Sequence, residues 1–227
     1  MLIQIPRLLS SEDLALIRER LDRAVWVDGR VTAGHQSVKA KANLQLPEDS
    51  AEARELGAIV VRALENNGLF MSATLARHVY PPLFNKYEAG MNFGTHIDNA
   101  VRQVPGTALR LRTDISATLF LNAPEEYDGG ELLVEDTYGA HAVKLNAGDL
   151  ILYPATSLHR VQPVTRGARL ASFFWIQSLV PEDSERQILF DMDRSIGELG
   201  AAQPADSAAI LRLTAAYHNL VRKWTAM

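Results

Sequence analysis

The sequence contains no cysteine, which removes disulfides, thiolate metal sites and cysteine nucleophiles from consideration. It has no run approaching the roughly 20 apolar residues that crossing a bilayer requires. Its opening, Met-Leu-Ile-Gln-Ile-Pro-Arg, has neither the basic start nor the long apolar stretch of a secretory leader. No charge of one sign dominates: 23 Lys and Arg against 27 Asp and Glu leave a net charge of −4. That balance gives no general pull toward nucleic acid or an anionic membrane. Neither a Gly-x-Gly-x-x-Gly nor a Walker pattern occurs, which argues against a nucleotide cofactor. There is no internal repeat and no low-complexity tract. A cytoplasmic protein without nucleic-acid or membrane partners is the expectation.

What is present suits a packed core. The chain has 227 residues, 47% hydrophobic and 22% charged, enough for one large β or mixed domain with a small appendage. Residues 2–5 are apolar, and Pro6 limits them to a short edge strand. Ser10 and Ser11 offer an N-cap, with Glu12 and Asp13 in the first turn. Leu14, Ile17, Leu21 and Ala24 follow at helical spacing, predicting a helix over 11–25. Residues 27–50, with Gly29, Gly34 and Pro47, read as loop with one strand. Leu56, Ile59, Val60, Ala63 and Leu64 predict a second helix over 51–66, closed by Asn66-Asn67-Gly68.

From residue 72 to 178 the texture is β. Short runs at 73–80, 83–88, 114–121, 130–135, 141–145, 149–153, 159–164 and 169–178 are separated by turn chemistry. The turns are Pro81-Pro82, Asp128-Gly129-Gly130, Asn146-Ala147-Gly148-Asp149 and Arg166-Gly167, and the pattern suggests a sandwich or barrel. Phe173, Phe174, Trp175 and Ile176 show no polar alternation, as expected of a strand buried on both faces. Beyond Pro181 the period turns helical, through Ile188, Leu189, Met192, Ile196 and Leu199. After a linker at 200–207 come Ile210, Leu213, Tyr217, Leu220, Val221 and Trp224. The division expected is a domain over 1–180 and a helical extension over 181–227. The extension packs on the β core or forms a homodimer interface, and the homodimer is the expectation.

Residues 87–98, Tyr-Glu-Ala-Gly-Met-Asn-Phe-Gly-Thr-His-Ile-Asp, end in His96-x-Asp98. In an extended segment residues i and i+2 share a side, so both side chains reach one point. His159 follows the apolar stretch Leu150–Tyr153. Two imidazoles and one carboxylate, with other positions open, are the ligand set of non-haem Fe(II) oxygenases. Arg169 lies ten residues on. If His159 and Arg169 begin neighbouring strands joined by a hairpin at Arg166-Gly167, both reach one cavity. The planar fork of an arginine suits bidentate binding of a carboxylate. A cosubstrate with two carboxylates would then chelate the metal and pair with Arg169, and 2-oxoglutarate is such a molecule.

Other candidates read more plainly. His35, His78, His141 and His218 lack a partner at metal spacing and read as structural or surface residues. Gly129-Gly130 reads as a turn. Residues 99–112, carrying Arg102, Arg110 and Arg112 around Pro105-Gly106, read as a solvated loop, with a flap receiving an acidic substrate as the alternative.

Taken together, Tyr87-x-x-Gly90-x-x-Phe93-x-x-His96-x-Asp98, residues 114–122, Asp128-Gly-Gly-Glu-Leu132, Gly148-Asp149, His159-Arg-Val and Gly167-x-Arg169 carry a resemblance. The chain resembles Fe(II)/2-oxoglutarate-dependent dioxygenases of the prolyl-4-hydroxylase type. Within them it is most similar to the bacterial PKHD-type hydroxylases, the PiuC/YbiX group associated with iron uptake, over essentially its whole length. The resemblance implies a mainly β fold, a cupin-like double-stranded β-helix (jelly-roll) with flanking helices and a C-terminal helical extension. It implies His96, Asp98 and His159 as iron ligands and catalytic residues. Arg169 would bind 2-oxoglutarate, and Tyr87 is either a core aromatic or a cosubstrate contact through its hydroxyl. Phe93 stands where many relatives carry Tyr.

The implied reaction is hydroxylation of a C–H bond with O2, 2-oxoglutarate going to succinate and CO2, and ascorbate as reductant. Because Asp98 is present, hydroxylation is implied over halogenation. Desaturation or oxidative cleavage at the same centre, a non-catalytic iron and 2-oxoglutarate sensor linked to iron uptake, and a cupin-type isomerase stay open. The implied primary substrate is a small molecule, siderophore-related or an amino-acid derivative.

Overall fold

The computed structural model describes residues 1–32, 40–202 and 207–226; Gly34, His35 and residues 203–206 of the 200–207 linker lie outside them. Ser10 accepts the Asp13 amide at 3.0 Å and starts α1 (Ser11–Asp22). Ser50 does the same with Ala53 for α2 (Ala51–Glu65). Each cap satisfies one of the amides that a helix start leaves without a partner. α1 stops short of residue 25 because the amides of Arg23 and Ala24 fold back onto Arg20 and Leu21. A further helix, α3 (Gly68–Thr74), starts on the Asn67 side chain and ends at Leu75, which has a left-handed φ of 43°. The strand expected at 73–80 is therefore reduced to β5 (Ala76–Val79). Among its described residues the stretch 27–50 holds three short strands, β2 (Val27–Asp28), β3 (Lys41–Ala42) and β4 (Leu44–Gln45), where one was expected.

The remaining strands are β1 (Ile3–Ile5), β6 (Leu83–Glu88), β7 (Asn92–His96), β8 (Val101–Gln103), β9 (Arg110–Arg112), β10 (Ile115–Phe120), β11 (Tyr127–Gly129), β12 (Leu132–Asp136), β13 (Gly139–Val143), β14 (Leu150–Pro154), β15 (His159–Val161) and β16 (Val164–Ser178). Among the described residues they form a nine-stranded sheet, in the order β1-β14-β10-β16-β6-β4-β2 with β5 and β11 also on β16. A five-stranded sheet follows the order β13-β12-β15-β7-β3, and β8 pairs with β9 as a separate ribbon. The neighbouring strands run antiparallel. This is the expected mainly β, jelly-roll architecture with flanking helices.

Strand alternation divides the larger sheet into two faces. Leu150 and Leu152 of β14, Leu119 of β10 and Leu170, Phe174 and Ile176 of β16 pack beneath the helices with Ile17, Leu21, Leu56, Val60, Leu64 and Phe70. Ile151 and Tyr153 point the other way, into a second cluster between the sheets with Phe120, Leu132, Val134 and Val161. Both faces of these strands are covered, which explains their unbroken apolar runs. Each fully buried large side chain contributes roughly 1.5–3 kcal/mol.

One expected connection is different. Arg166-Gly167 is not a hairpin turn: both residues lie inside β16, opposite Asp128 and Tyr127 of β11. Gly167 has φ +72°, and a Cβ there would collide with the Glu126 carbonyl. The chain reverses earlier, at Gln162-Pro163, passing from β15 in the smaller sheet to β16 in the larger. His159 and Arg169 therefore face each other across the sandwich instead of along one sheet. The 99–112 stretch is likewise the β8–β9 ribbon, not an irregular loop.

The C-terminal helices α4 (Asp183–Ala202) and α5 (Ala208–Trp224) pack on each other, and α4 packs on α3. Arg186 is buried and donates to the carbonyls of Val180 and Pro181 at 2.8 and 2.5 Å and to Asp183 at 3.0 Å. Ser72 bonds Asp193 at 2.5 Å, and the Ala226 amide returns to the Leu179 carbonyl at 2.8 Å. No helix among the described residues is long and apolar enough to cross a membrane. Replacing Arg186 with Ala strands two carbonyls and should lower unfolding stability by about 2–3 kcal/mol. A urea midpoint equal to the parent's would show that the extension docks without it.

Candidate active site

β7 and β15 are antiparallel neighbours, and their register sets His96 opposite His159. The ring centroids are 4.2 Å apart, although 63 residues separate the two in the chain. Asp98 lies two residues beyond His96. Ile97 between them is half exposed, so the alternation expected of His-x-Asp is kept past the strand end. Ligand atoms of His96, Asp98 and His159 all lie within 4.8 Å of one another, with His159 Nε2 3.7 Å from Asp98 Oδ2. Among the described residues this is the one group of three or more His, Asp or Glu side chains placed to hold a metal ion.

Backbone carbonyls orient both imidazoles in the same way. His96 Nδ1 lies 2.8 Å from the Gly94 carbonyl, and His159 Nδ1 lies 3.0 Å from that of Ser157, each two residues upstream. A carbonyl only accepts, so each Nδ1 carries the proton and each Nε2 keeps a free lone pair for a metal. Burial, and then the neighbouring His159, hold the His96 imidazole down to about 4, so it is neutral at physiological pH. Ser116, on β10 of the opposite sheet, donates to Asp98 Oδ2 at 2.6 Å. Phe93 stacks on His96 at 3.6 Å with planes 18° apart. Its ring serves as a flat support where a tyrosine would add a hydroxyl. Two imidazole nitrogens and one carboxylate oxygen, open toward a cavity, fit a divalent iron.

Arg169 is 1% exposed in the same cavity. It sits opposite Tyr87 on β6, its guanidinium carbon 5.5 Å from the Tyr87 ring and 5.2 Å from that of Phe120. Its Nε and Nη1 are buried without a hydrogen-bond partner, and no carboxylate among the described residues forms an ion pair with it. A buried cation in this state costs several kcal/mol unless an anion joins it. Gly130 makes the room, since a Cβ there would come within 3.2 Å of Arg169 Cδ and closer to Tyr127 and Val164. Tyr87 is buried, and desolvation pushes its phenol up to about 12 against the opposing pull of Arg169. It is a neutral hydroxyl lining the cavity.

All five residues singled out by sequence, His96, Asp98, His159, Arg169 and Tyr87, thus line one cavity. Of the three loop arginines only Arg102 enters it; Arg112 is paired with Asp114 at 2.6 Å. Sequence reasoning passed over Ser116, although a hydroxyl within the apolar stretch Ile115–Phe120 is a usable signal. It also passed over Lys41 and Trp175. Burial, and then repulsion from Arg102, pull the Lys41 ammonium down to about 8.

Residues 82–177, which bear the triad and Arg169, match the profile of the 2OG-Fe(II) oxygenase superfamily. The fold superposes on a prolyl-4-hydroxylase of Pseudomonas putida with a TM-score of 0.54 and 22% identity, over 78% of this chain and 92% of that one. The protein is an oxygenase of this class, an enzyme that works with Fe(II) and 2-oxoglutarate. Residues 183–226 narrow the class, because they match the PKHD-type hydroxylase C-terminal domain. A PKHD-type hydroxylase of Gluconobacter oxydans is 57% identical over the full length of both chains. Another, from Saccharophagus degradans, is 59% identical over 99% of each. The chain belongs to the PKHD-type hydroxylases.

Supporting hydrogen bonds of metal-ligating side chains are commonly worth 10–100-fold in metal affinity. Ser116→Ala should therefore weaken Fe(II) or Mn(II) binding by about tenfold while leaving the circular dichroism spectrum unchanged. Unaltered metal affinity would show that Asp98 is held without it.

Proposed function

We propose that the enzyme hydroxylates a C–H bond of a small molecule while 2-oxoglutarate is decarboxylated to succinate and CO2. His96, Asp98 and His159 hold Fe(II) in this reading, and Arg169 takes the distal carboxylate of 2-oxoglutarate with the Tyr87 hydroxyl beside it. The observation that carries it is one cavity containing both the three-ligand cluster and a buried guanidinium with two unpartnered nitrogens. Bound iron supplies the activation of O2 and the attack on the C–H bond. The chain supplies position and shelter. The Gly94 and Ser157 carbonyls fix the imidazole tautomers, and Ser116 holds Asp98 in place. Arg169 orients the cosubstrate from the far end of the cavity, while Phe93, Phe173 and Trp175 keep water from its walls.

A carboxylate at position 98 occupies the place that a halide would need, which supports hydroxylation over halogenation. Desaturation and oxidative cleavage share the same centre and differ in product mass. The primary substrate in this reading is a siderophore-related compound or an amino-acid derivative, by likeness to the iron-uptake-associated group; Arg102, 4.0 Å from the Trp175 ring in the cavity wall, supports a small molecule. Ascorbate as reductant, a cytoplasmic location and a homodimer through Ile188, Leu199, Leu211 and Leu213, which are exposed on α4 and α5, complete the proposal.

Succinate release with Fe(II), ascorbate and O2 tests it. Arg169→Ala should raise the half-saturating 2-oxoglutarate concentration by about 10–100-fold, the value of a charge-assisted bond; an unchanged value removes Arg169 from the site. His159→Ala should keep its fold and lose iron, measured as metal content after desalting. Parental iron content in that variant would strike His159 from the ligand set.

A further inference from the structure

One buried amide in the cavity wall has no task in the ligand cluster or in the core. Asn85, on β6, lines the cavity at 7% exposure, and its Oδ1 is buried without a hydrogen-bond partner. Alternation along β6 puts Phe84 under the helices and Leu83, Asn85 and Tyr87 on the inner face. The main chain of Asn85 is paired on both sides, with Ala171 of β16 and Gln45 of β4. Its side chain takes no part in that pairing.

Register places Asn85 between the buried guanidinium and the metal-ligating side chains. Across β6 and β16, Tyr87 stands opposite Arg169, Asn85 opposite Ala171 and Leu83 opposite Phe173. Across β16 and β10, Ala171 stands opposite Phe120, Phe173 opposite Thr118 and Trp175 opposite Ser116. Ser116 holds Asp98, so the rows run from Arg169 through Asn85 toward the ligand cluster. At about 3.3 Å per residue the Asn85 row lies roughly 7 Å from the Arg169 row. A molecule that grips Arg169 and reaches the cluster passes over that row, where Ala171 leaves room with only a methyl group. The exposed lining residues, Ile97 and Asn99, flank Asp98 at the far end, which makes that end the mouth and the Asn85 row part of the interior.

A buried amide oxygen without a partner is a cost to the fold. Leucine has the same branched shape and would fill the position without that cost. A ligand in the cavity accounts for the amide instead. The group is neutral and adds no charge beside Arg169, while its N–H pair suits carboxylate and keto oxygens, which only accept.

We propose that Asn85 is a further cosubstrate-binding residue, its amide N–H donating to an oxygen of 2-oxoglutarate between Arg169 and the metal. This rests on the oxygenase reading of the same cavity and adds one specific contact to it.

The test titrates 2-oxoglutarate into the full chain loaded with Mn(II), without O2, by calorimetry, and follows urea unfolding of the same samples. Asn85→Leu should raise the dissociation constant about tenfold, the value of one hydrogen bond to a charged group, while its urea midpoint rises. Asn85→Ala, which cannot clash, should show the same tenfold loss. Mn(II) affinity without 2-oxoglutarate should stay at the parent's value in both. A parental dissociation constant in Asn85→Ala overturns the proposal. So does an Asn85→Leu midpoint below the parent's, which makes the amide a structural group, and so does a parallel fall in Mn(II) affinity, which makes it a support of the ligand cluster. The parent titration separates the two readings. If 2-oxoglutarate fails to bind the parent, the oxygenase reading falls and takes Asn85 with it; if it binds parent and Asn85→Ala alike, only the Asn85 contact falls.

Discussion

β16 divides an apolar core from a charged cavity one residue at a time. Leu170, Phe174 and Ile176 go under the helices, while Arg169, Phe173 and Trp175 line the space between the sheets. A sandwich ordinarily gains its stability from the surface its two sheets share. Here much of that surface holds a guanidinium, an ammonium and three metal-ligating groups, all costly to bury. The compensating burial has moved outward, to the face covered by α1, α2 and α3, where Leu56, Val60, Leu64 and Phe174 are at most 1% exposed. The helices are thus the condition under which the inner face can be polar.

The same arrangement holds the candidate ligand cluster from both sheets. His96 and His159 are tied together by β7–β15 pairing, and their rings by carbonyls of their own strands' approaches. Asp98 is fixed from the other sheet, through Ser116. A ligand set held from both sheets resists the relative sliding of either one. The Gln162-Pro163 crossover then makes the distance between His159 and Arg169 a property of sandwich thickness, not of a flexible turn.

Legibility in the sequence followed the range of the interaction. His-x-Asp is local, and its alternation could be read directly. The later histidine and arginine were joined through a hairpin that the structure replaces with a crossover between sheets, although both do reach one cavity. Arg166-Gly167 looks like a turn, yet Gly167 is there because the Glu126 carbonyl occupies the space of a Cβ. Ser116 was missed because its partner belongs to the other sheet. Lys41 was missed because nothing in a two-residue strand announces which way its side chain faces. The 99–112 ribbon has no alternating apolar pattern, and its ends are joined by backbone bonds such as Val104 to Leu109 at 2.9 Å. Helix existence was clear for α1 and α2 from periodicity; α3 is too short to show one.

The stacking of Arg102 on Trp175 gives the molecule an optical reporter of its own. An indole's emission responds to nearby charge, and this indole has a guanidinium on one face and the iron site close by. Trp26 and Trp224 lie outside the cavity lining. Changes in fluorescence on loading the cavity therefore originate at one known ring, so occupancy can be followed in real time without a label.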